Sequence, residues 1–308
     1  MLNYLLKDFK NIENYFHDEN QYLNTIKYII ENGSLINSRN GNVYTTIGCP
    51  MHFNLENNTI PILTTKKVAI KTCIKELIWF IKGQTDNKIL KNQNVHIWDD
   101  NGSRDFLDSR GLTNRNKDDL GPIYGYQWRH FNNQYENCTS DYSGKGIDQL
   151  KYIIDSLKHP TEKYSRRLIM TAWNPCQIDE MALPPCHVLC HFNVIDNNLS
   201  CILYQRSGDV GLGVPFNISS YCLLTHLIAK ICNLNAKEFI YYLGNTHIYD
   251  DHIESLKEQI LRKPLEFPKI KISDRDNLDI DNISLEDIEI INYQHYDLTL
   301  HPETSHQE

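Results

Sequence analysis

Leu183-Pro184-Pro185-Cys186-His187-Val188-Leu189-Cys190-His191-Phe192-Asn193-Val194 alternates apolar and polar residues from His187 onward, as strands do. Arg167–Trp173 before it and Leu199–Arg206 after it carry the same period. Two prolines cannot sit inside a paired central ladder, so Pro184-Pro185 marks a bend or a strand start. Cys186 is therefore expected at a strand entrance, facing a cleft instead of lost in a core. Helical spacing occurs on both sides of this region. Leu23, Ile26, Ile29 and Ile30 predict a helix from Gln21, stopped by Asn32-Gly33. A second is expected over Thr65–Ile81, with Thr65 as its cap, Cys73, Ile74, Leu77, Ile78 and Ile81 on one face, and Gly83 ending it. Leu223, Leu224, Leu227, Ile228 and Ile231 predict a third, opened by Asn217, and a last helix runs from about Asp251 to Leu261.

At 308 residues with 41% hydrophobic content, one large domain or at most two is expected. The formal charge of −8 argues against a general nucleic-acid binder, which needs a basic surface. Nine cysteines without small-domain spacing read as reduced thiols in a cytoplasmic setting. No apolar run reaches transmembrane length, so no membrane partner is expected.

A thiol becomes a nucleophile when nearby cations stabilise its thiolate, and Arg206 and the pair Arg166-Arg167 are the basic candidates. Taken alone, an unpaired cysteine is more often a small buried hydrophobe. Cys186, His187, Cys190 and His191 also invite a metal reading. On a strand the two cysteines face one side and the two histidines the other, so one ion cannot collect all four, and no metal is expected.

The neighbours change the reading. Arg166-Arg167-Leu-Ile-Met-Thr-Ala-Trp-Asn174, Met181-Ala-Leu-Pro-Pro-Cys-His187 and Leu203-Tyr-Gln-Arg-Ser-Gly-Asp-Val-Gly-Leu-Gly-Val-Pro-Phe-Asn217 closely resemble the signature regions of the thymidylate synthase family. The resemblance runs from about Gln21 to about Tyr293 and is closest to eukaryotic-type members. It implies an α+β fold, with a large mixed sheet, helices packed on one face and the other face stacked on a partner's sheet in a homodimer. It also implies reductive methylation of dUMP to dTMP, with 5,10-methylenetetrahydrofolate as co-substrate and dihydrofolate as product. The domain plan that follows is an extension over residues 1–20 and a catalytic domain over 21–308.

By that resemblance Cys186 adds to C6 of the uracil ring, and Asn217 reads the base, since a carboxamide can donate to O4 and accept from N3–H. Its bland reading is a helix cap, and both roles can coexist. Glu76, embedded among apolar residues, matches the glutamate that assists proton transfer at O4; an apolar setting raises a carboxyl pKa. Tyr124 matches a residue lining the nucleotide and assisting removal of the C5 proton. Arg39, in the polar glycine loop Asn37–Asn42, matches a phosphate ligand together with Arg206 and Ser207, while Arg166 and Arg167 reach across to the partner's phosphate. His247 and Tyr249 match the pair on the deoxyribose 3′-hydroxyl. Ile97, Trp98, Asp209, Leu212, Gly213 and Phe216 match folate contacts, and Asp209 counts among the catalytic residues.

Three departures stand out. Asn245 replaces the family's aspartate, which removes a charge beside the sugar-binding pair. His191-Phe192-Asn193 replaces Gln-Phe-Tyr where the dimer interface is expected. The tail from about residue 294 to 308 is polar, where relatives end in a short apolar segment that closes the site. Poor closure would let water capture the methylene. A pyrimidine deoxynucleotide hydroxymethylase is therefore the alternative, and a non-catalytic nucleotide- or RNA-binding relic the third reading.

Overall fold

The computed structural model describes residues 17–38 and 41–297 of the chain. The described elements begin with helix α1 (Glu19–Asn32), strands β1 (Ser34–Ser38) and β2 (Gly41–Asn54), and helix α2 (Ile70–Ile81). Helices α3 (Asn87–Lys91), α4 (Arg104–Ser109), α5 (Tyr124–His130) and α6 (Gln149–Lys158) follow. Then come β3 (Ile169–Thr171), β4 (His187–Ile195), β5 (Asn198–Asp209), α7 (Gly213–Ile231) and β6 (Asn235–Tyr249). Helix α8 (Ile253–Gln259) and the pair β7 (Lys269–Ile272) and β8 (Ile288–Ile291) complete them.

Six strands form one mixed sheet in the order β1-β2-β6-β5-β4-β3. Every neighbouring pair is antiparallel except β5 and β6, which α7 joins as a crossover and which therefore run parallel. One face is packed. Leu199, Cys201 and Leu203 of β5, Phe239, Tyr241 and Leu243 of β6, and Met51 and Phe53 of β2 are buried there. Helix α7 buries residues around its whole circumference, because it lies between the sheet and α2. Each buried Leu or Ile side chain contributes roughly 1.5–3 kcal/mol.

The other face is bare. One row crosses it through Ile169, His191, Ile202, Ile240 and His52, in register from β3 to β2. A second row holds Leu189, Tyr204, Tyr242 and Pro50. Tyr204 and Tyr242 are 43% and 48% exposed, and Ile47 nearby on β2 is 71% exposed. The α+β sheet with helices on one face is thus as expected.

Three local expectations need correction. Helix α2 starts at Ile70, not Thr65. Thr65 cannot cap it, because its N–H and hydroxyl both donate to the buried Glu19 carboxylate, at 2.8 and 2.6 Å, as those of Thr64 do. Asn217 is not a helix cap either. Helix α7 begins at Gly213 with Pro215 in its first turn, where a missing N–H costs nothing, so Asn217 lies inside the helix. Arg166 and Arg167 occupy a turn before β3 and are both exposed; the strand is only Ile169–Thr171. Gly33 does end α1, yet at φ −67° and not in the left-handed region. A Cβ there would sit 2.5 Å from the Ile29 carbonyl oxygen, which is why glycine is needed.

Candidate active site

The mouth of β4 is where the two prolines stop and pairing begins. Cys186 sits half-buried one residue before the strand. Its N–H donates to the Tyr124 hydroxyl at 2.8 Å, and its carbonyl accepts from the Arg206 N–H at 2.9 Å. The Arg206 side chain grips the same turn: Nε donates to the Pro185 carbonyl at 2.9 Å and Nη2 to the Pro184 carbonyl at 3.1 Å. Nη2 also lies 3.6 Å from Cys186 Sγ, and the guanidinium rests over the Trp173 ring at 5.6 Å. A fixed cation at the sulfur favours the thiolate over the thiol.

The pairing of β4 with β5 shifts register between His187 and Leu189. This bulge breaks the alternation, so His187 and Cys190 are both buried instead of facing opposite sides. The two-sided reading of this stretch fails for that reason. His187 stacks on Tyr124 with centroids 4.0 Å apart, and its Nδ1 lies 2.8 Å from the Tyr221 hydroxyl. Burial pushes its pKa down to about 3, so it is uncharged at neutral pH. Among the described residues, no group of three or more His, Cys, Asp or Glu side chains is arranged to hold a metal ion.

Helix α2 and helix α5 supply the opposite wall. They approach closely at Gly125, where a Cβ would lie 2.4 Å from the Phe80 carbonyl oxygen. The close seat brings Tyr124, at the start of α5, against Phe80, with rings 4.9 Å apart. Trp98, in the turn after α3 and 7% exposed, meets the Tyr124 ring edge-on at 6.0 Å. Its indole N–H donates to Glu76 Oε1 at 2.7 Å. Burial raises the Glu76 carboxyl to about 7, and that single hydrogen bond opposes the rise only in part. Ile97 precedes Trp98 in the same turn, half-buried and packed against the core.

The remaining candidates line the end of β5 and the start of α7. Asn217 Oδ1 accepts from Gln205 Nε2 at 3.1 Å, and Gln205 Oε1 accepts from the Tyr241 hydroxyl at 2.6 Å. Asp209 Oδ1 accepts from the backbone N–H groups of Gly211 at 2.8 Å and Leu212 at 3.3 Å. Leu212, Gly213 and Phe216 are half-buried around it. Lys66, buried, donates to the Gly211 carbonyl, and burial lowers its pKa to about 8 against the pull of Asp209. On β6, His247 lies opposite Asp209, Asn245 lies opposite Ser207, and His247 and Tyr249 are buried.

Cys186, Arg206, Tyr124, Glu76 and Trp98 thus form one connected cluster, and Asn217, Ser207, Asp209, His247 and Tyr249 share the adjoining strand ends and helix start. Arg166 and Arg167 are not brought in: among the described residues, no side-chain hydrogen bond or ion pair ties either to the cluster. Arg39 lies outside the described residues, as do residues 1–16 of the expected extension and 298–308 of the expected tail.

A family model described as thymidylate synthase matches residues 20–302. The chain belongs to the thymidylate synthase family. It is 50% identical over 287 residues to the thymidylate synthase of Saccharomyces cerevisiae, covering 90% of this chain and 93% of that protein. It is 50% identical over 290 residues to a probable thymidylate synthase of Schizosaccharomyces pombe, covering 91% of this chain and 46% of that protein. It is 50% identical over 293 residues to a bifunctional dihydrofolate reductase-thymidylate synthase of Plasmodium berghei, with coverages of 94% and 49%. The chain therefore spans about half the length of the last two relatives.

Within this family site, sequence reasoning left three groups unassigned. Gln205 lies inside the quoted motif, but nothing local says that its amide meets Asn217. His187 shows only metal-ligand chemistry in the sequence, because its stacking on Tyr124 joins segments 63 residues apart in the chain. Lys66 gave no signal, since its buried setting depends on the turn after β5.

Proposed function

We propose that the chain is a thymidylate synthase, converting dUMP and 5,10-methylenetetrahydrofolate to dTMP and dihydrofolate. The observation that carries this reading is the Arg206 guanidinium at Cys186 Sγ, with Tyr124 and Glu76 on the opposite wall. The thiolate bonds to C6 of uracil, and the electron pair passes through C5 toward O4. Glu76, titrating near neutrality, is suited to serve O4 with a proton. C5 then takes the one-carbon unit, and Tyr124 assists loss of the C5 proton. Loss of that proton breaks the bond between the one-carbon unit and the folate nitrogen and leaves an exocyclic methylene on the base still held by Cys186. Hydride from the folate then adds to that carbon and the thiolate leaves C6 as the C5–C6 double bond re-forms, so the folate is both carbon donor and reductant. Asn217, with Oδ1 engaged by Gln205, reads the uracil edge; Asp209, Leu212, Gly213, Phe216, Ile97 and Trp98 take the folate. Arg39, Arg206 and Ser207 take the phosphate, and His247 and Tyr249 the sugar.

We further infer a homodimer stacked through the bare sheet face. The apolar rows through Ile202, Ile240, Tyr204 and Tyr242 support it, since a surface of that kind is buried when a second copy covers it. The exposed Arg166 and Arg167 suit delivery to the partner's phosphate, because guanidinium forks match a dianion. No helix among the described residues is long and apolar enough to cross a membrane. The nine cysteines, none in a disulfide, support a reducing cytoplasmic location.

Incubation with dUMP and methylenetetrahydrofolate tests the reaction. Equal amounts of dTMP and dihydrofolate are expected; hydroxymethyl-dUMP without dihydrofolate would move the reading to the hydroxymethylase, and no product would overturn it. Mixing inactive Cys186→Ala with an inactive Arg166→Ala/Arg167→Ala chain tests the shared site. Exchange of subunits should return activity, and continued inactivity after exchange would contradict arginine sharing.

A further inference from the structure

We propose that Asn245 is a positioning residue for the nucleotide sugar: it fixes His247 with its proton on Nδ1 and makes Nε2 the acceptor of the ring. This deepens the nucleotide reading of the site and rests on it. Asn245 and His247 are two residues apart on β6 and project from the same side of the strand. Asn245 Oδ1 lies 2.9 Å from His247 Nδ1. An amide oxygen only accepts, so the ring nitrogen that faces it must carry the hydrogen.

The amide is itself held. Thr45, opposite His247 on β2, donates its hydroxyl to the same Asn245 oxygen at 3.1 Å. The ring is 1% exposed and meets Tyr249 edge-on at 5.7 Å, which restricts its reorientation. Asp209 lies opposite His247 on β5, but its Oδ1 is engaged by the N–H groups of Gly211 and Leu212. The contact at Nδ1 is thus made by an uncharged group. It selects a tautomer by accepting at Nδ1. With the hydrogen on Nδ1, the Nε2 lone pair takes the proton of a sugar hydroxyl, while the Tyr249 hydroxyl can donate to the oxygen of that group.

Nitrogen-15 NMR of the full chain reads the tautomer directly, with the His247 signals assigned by their loss in His247→Gln. The wild type without nucleotide should show Nδ1 protonated and Nε2 bare. Asn245→Ala should give a mixture of tautomers and weaken dUMP binding about fivefold, the worth of one neutral hydrogen bond. The change should appear in KM for dUMP and not in kcat. Asn245→Asp keeps an acceptor and should restore the Nδ1 proton. A wild-type ring protonated on Nε2 would overturn the proposal, as would an Asn245→Ala chain with unchanged tautomer and unchanged dUMP affinity. Failure of the wild type to bind dUMP would instead overturn the nucleotide reading, since the tautomer is measured without nucleotide.

Discussion

Cys186, just before β4, and Cys190, inside it, lie four residues apart in the chain, and their surroundings differ. Cys190 is inside β4, 1% exposed, where burial and a hydrogen bond with the Cys201 thiol push its pKa well above the ordinary value. Cys186 lies just outside the strand, half-buried, with the Arg206 guanidinium 3.6 Å from its sulfur. The prolines make the difference. They hold Cys186 out of the ladder, and their carbonyls anchor the cation that faces it. The preceding two residues set this thiol apart by what they cannot do, which is donate to a ladder.

Two carboxylates repeat the contrast. Glu19 is buried but accepts from two backbone N–H groups and two hydroxyls, which ties α1 to the Thr64-Thr65 segment. Glu76 receives only the Trp98 indole N–H, and its carboxyl titrates near 7. Many donors hold a carboxyl in place for structure, whereas a single donor leaves Glu76 with its raised pKa.

The sharpest way to break the first contrast is to remove each thiol. Cys186→Ala should cut turnover by on the order of 10⁴ or more while dUMP binding stays measurable. Cys190→Ala should keep turnover and lose about 1 kcal/mol of stability in urea unfolding. Comparable turnover losses in both would mean that the strand mouth is not special.

The carboxylate pair comes next. Glu76→Gln should lower kcat about 10²- to 10⁴-fold, the usual worth of a general acid–base group. Glu19→Gln should leave kcat near wild type and cost about 2–3 kcal/mol in unfolding, because a Gln nitrogen would face donors. A catalytic defect in Glu19→Gln without a stability loss would erase the distinction. Asn217→Asp should shift selectivity from dUMP toward dCMP by about 10²-fold, since a carboxylate cannot donate to O4; an unchanged ratio of the two kcat/KM values would remove Asn217 from base reading.

The last contrast concerns pH. Because folding raises the Glu76 pKa from 4.5 to about 7, the folded state binds the extra proton in that window. The stability contribution is fully present below 4.5 and falls as pH rises through 7. Glu76→Gln removes this dependence, so its urea midpoint should match wild type at pH 4 to 5 and exceed it at pH 8. A gain that is the same at both values would place the effect elsewhere.

The strand entrance at Cys186 was legible because proline cannot donate to a ladder, and α7 was legible because its apolar residues repeat at helical spacing. The bulge after His187 was not, since it depends on pairing with β5 and leaves no mark on the β4 sequence. Thr65 looked like a helix cap until Glu19, 46 residues away, claimed both of its donors. Asn217 looked like the start of α7 because it precedes the apolar period of Leu223 to Ile231, yet the helix begins at Gly213, with Pro215 at home in its first turn. Family motifs named the site residues; what joins Trp98 to Glu76 and Gln205 to Asn217 is tertiary.

The central claim is that the setting of Cys186, not thiol count, decides reactivity. Alkylation of the full chain by iodoacetamide, followed cysteine by cysteine by peptide mass spectrometry with and without dUMP, tests it most directly. Modification of Cys186 should run ahead of Cys190, track the loss of turnover and be blocked by dUMP. Loss of turnover that instead follows the exposed Cys176, with Cys186 unmodified or unprotected by dUMP, would contradict it.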